Sequence, residues 1–193
     1  MSSQLTCGIG FNIGEYPSKI GGRTTREYAL WQNMLHRCYG KDTSRRSSSY
    51  KVCQISESFK DFSFFHRWCQ AQEGFSSEGY HLDKDLLVKG NKLYSENTCI
   101  FLPPILNTLL TKRKAGRGDY PLGVNLKKGK FQARLNKFGS SQYLGVFNTP
   151  EEAFQVYKAA KEAFIRELAL TYQASLSSRA FNALMSYTVD MAD

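Results

Sequence analysis

The stretch "GVNLKKGKFQARLNKFGSSQYLGVFNTPEEAF", residues 123–154, decides the fold of the C-terminal part of the chain. Its central portion alternates. Phe131, Ala133 and Leu135 fall on one face of a strand, and Lys130, Gln132, Arg134 and Asn136 fall on the other. "KFGSSQ" reads as a turn, so two or three antiparallel strands follow one another. The end of the stretch is a helix start: Thr149 caps, Pro150 sits where its missing donor is harmless, and Glu152 completes a capping box. The helix then presents Phe154, Tyr157, Ala160, Phe164 and Leu168 on one face. The economical architecture is a three-stranded sheet covered on its apolar face by this helix. Its polar, basic face is left free.

The charge of the chain concentrates around this unit. Residues 105–140 carry Lys112, Arg113, Lys114, Arg117, Lys127, Lys128, Lys130, Arg134 and Lys137 against Asp119 alone. That segment therefore holds +8 of the net +9, and the remaining residues balance 17 bases against 16 acids. A dense basic block beside a folded segment points to a polyanion, most simply nucleic acid; the alternative is a solvated surface. An acidic mimic of DNA is excluded by sign. "TKRKAGRGDYP" at 111–121 has the composition of a linker.

Upstream, residues 1–25 are rich in Gly, Ser and Thr and read as an irregular arm. Tyr28, Trp31, Leu35 and Cys38 recur at helical steps. "GKDTSRRSSSY" is a polar loop and "YKVCQI" a short strand. Phe59, Phe62, Phe65 and Trp68 predict a second amphipathic helix from about Glu57 to Gln70, with the aromatics as core rather than as a platform for bases. The segment after it predicts a strand at 80–88, a turn at "KGNK", a strand at 98–102 and a helix from Pro104. Residues 172–193 predict a short helix around Ser178–Ser186 and an end strand.

With 193 residues and 41% apolar composition, the chain can bury one large core or two small ones. No apolar run reaches the roughly 18 residues of a membrane span. The N-terminus lacks the basic start and apolar stretch of a secretory signal. Five cysteines without a close pair argue against a disulfide scaffold or zinc ribbon and fit reduced thiols in a cytosolic protein. Gly21, Gly22, Gly116 and Gly118 form no phosphate-loop pattern, so no small-molecule cofactor is expected.

"YALWQNMLHRCY", "HLDKDLLVKGNKLYSENTCIFLPPILN" and "YPLGV…YLGVFNTPEEAF" together resemble the HNH endonuclease family of phages and prophages that carries a C-terminal AP-two-like DNA-binding domain. The resemblance covers nearly the whole chain. It implies an α+β protein: an N-terminal helical, ββα-metal (HNH-like) domain, then a three-stranded antiparallel sheet packed on one helix. The boundaries that follow are an arm at 1–26, the HNH-like domain at 27–111, a basic linker at 112–119, the AP-two-like domain at 120–171 and an extension at 172–193. It also implies a metal-dependent endonuclease or nickase acting on double-stranded DNA, encoded by a phage or prophage and acting in the cytoplasm of its bacterial host.

Carried onto this chain, the resemblance matches the metal-binding acid to Asp83. Lys84 occupies the place of the general-base histidine, Thr98 that of the loop-bracing asparagine and Asn107 that of the final histidine. An asparagine there can ligate a metal through its carbonyl oxygen, which makes Asp83, Asp85 and Asn107 the implied ligands of Mg²⁺ or Mn²⁺. The residues themselves offer a partial replacement for the missing base. At strand spacing His81, Asp83 and Asp85 emerge on one face, where two carboxylates and an imidazole suit such a cation and His81 can act as base. The alternative is a solvated polar strand face without a metal.

Similarity to plant ethylene-response factors puts the basic sheet face in the DNA major groove, with Asn125, Lys127, Lys130, Gln132, Arg134, Asn136 and Tyr143 reading or gripping the duplex and Lys112, Arg113, Lys114 and Arg117 beside them. Two functions stay open at this point. One is a DNA endonuclease cutting at 81–107. The other is a non-catalytic, sequence-specific DNA-binding protein in which the HNH fold survives as scaffold.

Overall fold

The computed structural model describes residues 5–40, 52–111 and 120–191. It is a mixed α+β structure, and the chain divides into two compact units. The first comprises residues 1–104 and 175–180, the second residues 105–174 and 181–193.

The first unit is organised by two helical segments with aromatic faces. Helix α1 (Arg26–Tyr39) buries Trp31, Met34, Leu35 and Cys38, the i, i+3, i+4, i+7 stripe of an amphipathic helix. The second segment is not the single helix its periodicity predicts. It forms α2 (Glu57–Lys60) and α3 (Phe62–Gln70), broken at Asp61, whose backbone is extended (φ −83°, ψ 117°). The break has two causes. The Asp61 carboxylate caps α3 by accepting from Ser63 N–H at 2.8 Å. The N-terminal segment also inserts there, with Phe11 N–H donating to Lys60 O and Phe62 N–H donating to Phe11 O, each at 3.0 Å. Phe59, Phe62, Phe65 and Trp68 nevertheless all point into the core, as the sequence indicates. Phe59 meets Phe65 and Trp68 at ring-centroid distances of 5.0 and 4.9 Å, and Trp31 Nε1–H donates to Phe59 O at 2.8 Å.

Over the described residues 5–18 the arm is irregular, as expected, but it is docked on the core and ends in regular structure. That end is a small hairpin, β1 (Lys19–Ile20) with β2 (Arg23–Thr24), and Cys7, Ile9 and Tyr16 of the arm pack on the aromatic core. Strand β3 (Gln54–Ile55) pairs in parallel with β5 (Leu93–Tyr94), while β4 (His81–Asp83) pairs antiparallel with β6 (Ile100–Leu102). Helix α4 (Pro104–Leu110) follows β6 directly.

The second unit contains β7 (Val124–Lys127), β8 (Lys130–Lys137) and β9 (Ser140–Phe147) in one antiparallel sheet, in that order. Both connections are two-residue turns, Lys128–Gly129 and Phe138–Gly139, with positive φ at both positions, the backbone that matches strand twist in tight hairpins. Helix α5 (Pro150–Thr171) lies across all three strands. Its capping box forms as predicted: Glu152 N–H donates to Thr149 Oγ1 at 3.2 Å and Thr149 N–H to Glu152 Oε2 at 3.3 Å. The buried stripe runs through Phe154, Tyr157, Lys161, Phe164, Ile165 and Leu168, so Lys161 takes the place expected for Ala160. Helix α6 (Ser178–Met185) forms where predicted, but among the described residues no end strand follows it. Residues beyond α6 instead bind α5 through Lys158 Nζ–H to Val189 O (2.6 Å) and Val189 N–H to Glu162 Oε1 (2.9 Å).

Candidate nucleic-acid interface

Residues opposite one another in an antiparallel ladder share a face. On the sheet surface away from Ala133 and Leu135, three rows result. Lys127 lies opposite Lys130, Asn125 opposite Gln132 and Val146, and Arg134 opposite Tyr143. The third row depends on a bulge. The register shifts between Ala133 and Arg134, so Leu144 is an extra residue and Tyr143 faces Arg134. Plain alternation would put Tyr143 and Val146, three apart, on opposite faces; with the bulge they share one. Gly145, at φ +144°, accommodates the distortion, and a Cβ there would lie 2.9 Å from the Phe147 ring.

The face so built is basic and partly apolar. None of β7, β8 and β9 contains an acidic residue. Tyr143 is 53% exposed and Val146 44%. Arg134 Nη1–H donates to Ser141 Oγ at 3.3 Å, and Lys130 Nζ–H to Asn148 Oδ1 at 2.5 Å. These contacts orient the two cations over the sheet. Asn136 is on the same face, but its Oδ1 accepts from Gly139 N–H at 3.0 Å and thereby closes the hairpin. Lys137 belongs to the other face. Its ammonium lies 4.5 Å from the centroid of Phe164 and 3.9 Å from Glu167 Oε2, both on α5. Lys128 occupies the tip of the first hairpin. Lys112, Arg113, Lys114 and Arg117 lie outside the described residues. Ser141 shares the face with Tyr143 by plain alternation, whereas Val146 joins it through a bulge that no residue of β9 announces except Gly145.

The "HLDKD" segment is arranged differently from the single polar face its spacing predicts. Strand β4 ends at Asp83, so His81 and Asp83 share a face and Asp85 lies beyond the strand. Asp83 Oδ1 accepts backbone N–H from Asp85 at 2.9 Å and from Leu86 at 2.8 Å, turning the chain. Burial pushes the Asp83 carboxyl above its ordinary range, against the opposing pull of these two donors. Lys84 is buried. Its ammonium donates to Asp85 Oδ1 at 2.6 Å and to Asn91 O at 3.1 Å. Asn91 answers with Nδ2–H to Lys84 O (2.7 Å) and to Leu93 O (2.6 Å). Lys84 and Asn91 thus lock the two ends of the 84–92 loop. Thr98 braces the next turn, donating from Oγ1 to Leu93 O at 2.7 Å and accepting from Ser95 N–H at 3.2 Å.

These residues do not fit a divalent cation as they stand. Lys84 holds the Asp85 carboxylate, and one oxygen of Asp83 is committed to the backbone. Among the described residues no three His, Cys, Asp or Glu side chains come together as a metal cluster. Asn107 lies on α4, and its backbone carbonyl accepts from Thr111 Oγ1 at 2.8 Å. Among the described residues no helix is long and apolar enough to cross a membrane. Compared with known proteins, the chain matches no family model, no curated protein and no solved structure.

Proposed function

We propose that this protein binds duplex DNA through the free face of the β7–β8–β9 sheet. The observation that carries the reading is the composition of that face: Lys127, Lys130 and Arg134 with Asn125, Gln132 and Tyr143, on three strands without an acid. Cations on such a face neutralise phosphates, while Arg, Gln and Asn offer the donors and acceptors that pair with base edges in the major groove. The resemblance to ethylene-response factors supports the same orientation. Lys137, turned to α5, contributes little, which leaves eight basic residues of the block for DNA. If about six to eight of them meet phosphates, log affinity should fall with log salt at a slope of about −5 to −7. A salt titration of duplex binding measures this. A slope near −1, or equal affinity for polyglutamate, would remove the basic block from the interface.

Strand scission is the second reading. It is favoured by one observation, the antiparallel pair β4–β6 followed directly by α4 with Asp83 at the end of the first strand, the order that the HNH resemblance implies. The Lys84–Asp85 pair weighs against it, and for that reason binding without cleavage is the reading preferred here. Supercoiled plasmid incubated with Mg²⁺ or Mn²⁺ separates the two. Intact plasmid at protein concentrations that saturate DNA supports binding alone. Nicked circles that vanish in Asp83→Ala would establish the nuclease.

A further inference from the structure

The five thiols of the chain differ sharply in setting. Cys38, Cys53, Cys69 and Cys99 are buried, and Cys7 is partly exposed. Burial pushes the Cys99 thiol up to about 12 and that of Cys69 higher still, so both are inert at neutral pH. Cys7 Sγ lies 3.4 Å from Nδ1 of His36, within hydrogen-bond reach for sulfur. The two are held by separate, anchored elements. Cys7 sits in a tight turn closed by Thr6 N–H to Gly10 O (2.7 Å) and Gly10 N–H to Thr6 O (2.9 Å). Gly10 is packed so closely on α1 that a Cβ would fall 2.4 Å from Leu35 and 2.8 Å from Trp31. Cys7 itself has φ 53°, a backbone that residues other than glycine seldom adopt and that often marks a functional position. His36 lies in the last turn of α1, the end of a helix that favours positive charge.

We propose that Cys7 and His36 form an activated thiol that undergoes thiol–disulfide exchange with low-molecular-weight disulfides. The imidazole accepts the thiol proton. The Cys7 thiolate attacks one sulfur of the incoming disulfide, forming a Cys7–S–S–R bond as the original S–S bond breaks. The other half departs as a thiolate with the electron pair and takes up a proton. Cys7 is oxidised and the departing half reduced, so the exchange needs no other oxidant.

DTNB, an aromatic disulfide, tests this on the native chain. The expected result is rapid release of about one equivalent of dye anion, with the four buried thiols reacting only after unfolding. Cys7→Ser should abolish the rapid phase. His36→Asn should slow it about tenfold near pH 6.5, with the difference shrinking above about pH 9, where an ordinary thiol ionises unaided. Circular dichroism establishes that each variant is folded. Should Cys7→Ser not fold, mass mapping of the adduct on the wild-type chain decides, with modification at Cys7 expected. A rapid phase that survives Cys7→Ser, an adduct on another cysteine, or an unchanged rate in folded His36→Asn at pH 6.5 would overturn the proposal.

Discussion

Lys84 shows how one side chain can change the meaning of a motif. In sequence it stands where a histidine base is expected. In the structure it is buried, and its ammonium ties Asp85 to the far end of the loop through Asn91 O. A buried cation persists only when its donors are satisfied, so Lys84→Met should strand the Asn91 carbonyl and loosen the loop. The expected cost is about 1–3 kcal/mol in urea unfolding, with duplex affinity unchanged. An unaltered unfolding midpoint would show that Lys84 does not hold the loop. Gly123 poses a different constraint. It has φ +76°, and a Cβ there would lie 2.0 Å from the Tyr157 ring of α5. Gly123→Ala must therefore shift the helix or the sheet, and a loss of more than about 2 kcal/mol is expected in the same assay. Neither role is legible in the sequence: that of Lys84 depends on the closure of its own loop, and that of Gly123 on Tyr157, distant along the chain.

At the level of elements, local signals are legible in the sequence and long-range ones are not. The capping box at Thr149 and Glu152 and the core placement of the aromatics of α2 and α3 follow from a few neighbouring residues, and all are present. Thr149→Ala should accordingly cost about 1 kcal/mol, measured by chemical unfolding, and no loss would mean that the cap is not holding the helix end. The break at Asp61 escapes the local pattern because Phe11, far away in sequence, supplies the bonds that make it possible. Composition predicts an end strand, but the tail finds its hydrogen bonds on α5 instead. Burial alone would push the Glu162 carboxyl up, yet the Lys158 ammonium and the Val189 N–H together hold it below its ordinary value. A carboxyl depressed in the folded state stabilises above its ordinary value of 4.5 and loses that contribution as pH falls through the folded value. Amide exchange at Val189 should therefore quicken, relative to the α5 amides, below about pH 4.5. Protection at Val189 that is independent of pH in this range would separate the tail from Glu162.

Over the whole molecule, the charge asymmetry visible in the sequence acquires a direction. Lys127, Lys130 and Arg134 project from the open face of the sheet, whereas Lys137, from the same basic block, turns to Phe164 and Glu167 on α5. Alternation along β8 is sufficient to anticipate the face of Arg134. The bulge that brings Val146 to the same face as Tyr143 has no signal in the sequence beyond Gly145, since it resides in pairing rather than in pattern. The segment 81–85 likewise carries two acids in a motif-like spacing, but their hydrogen bonds are internal. Binding of DNA by the sheet is tested most directly by comparing charge removal on its two faces. Salt titrations of duplex binding would be run on the wild type, on the triple variant Lys127→Ala, Lys130→Ala, Arg134→Ala, and on Lys137→Ala. The triple variant should show a slope shallower by about three, one for each phosphate that no longer meets a cation, and Lys137→Ala should retain the wild-type slope. A triple variant with the wild-type slope, or a Lys137→Ala variant whose slope falls as much per charge removed, would contradict the assignment of this face to DNA.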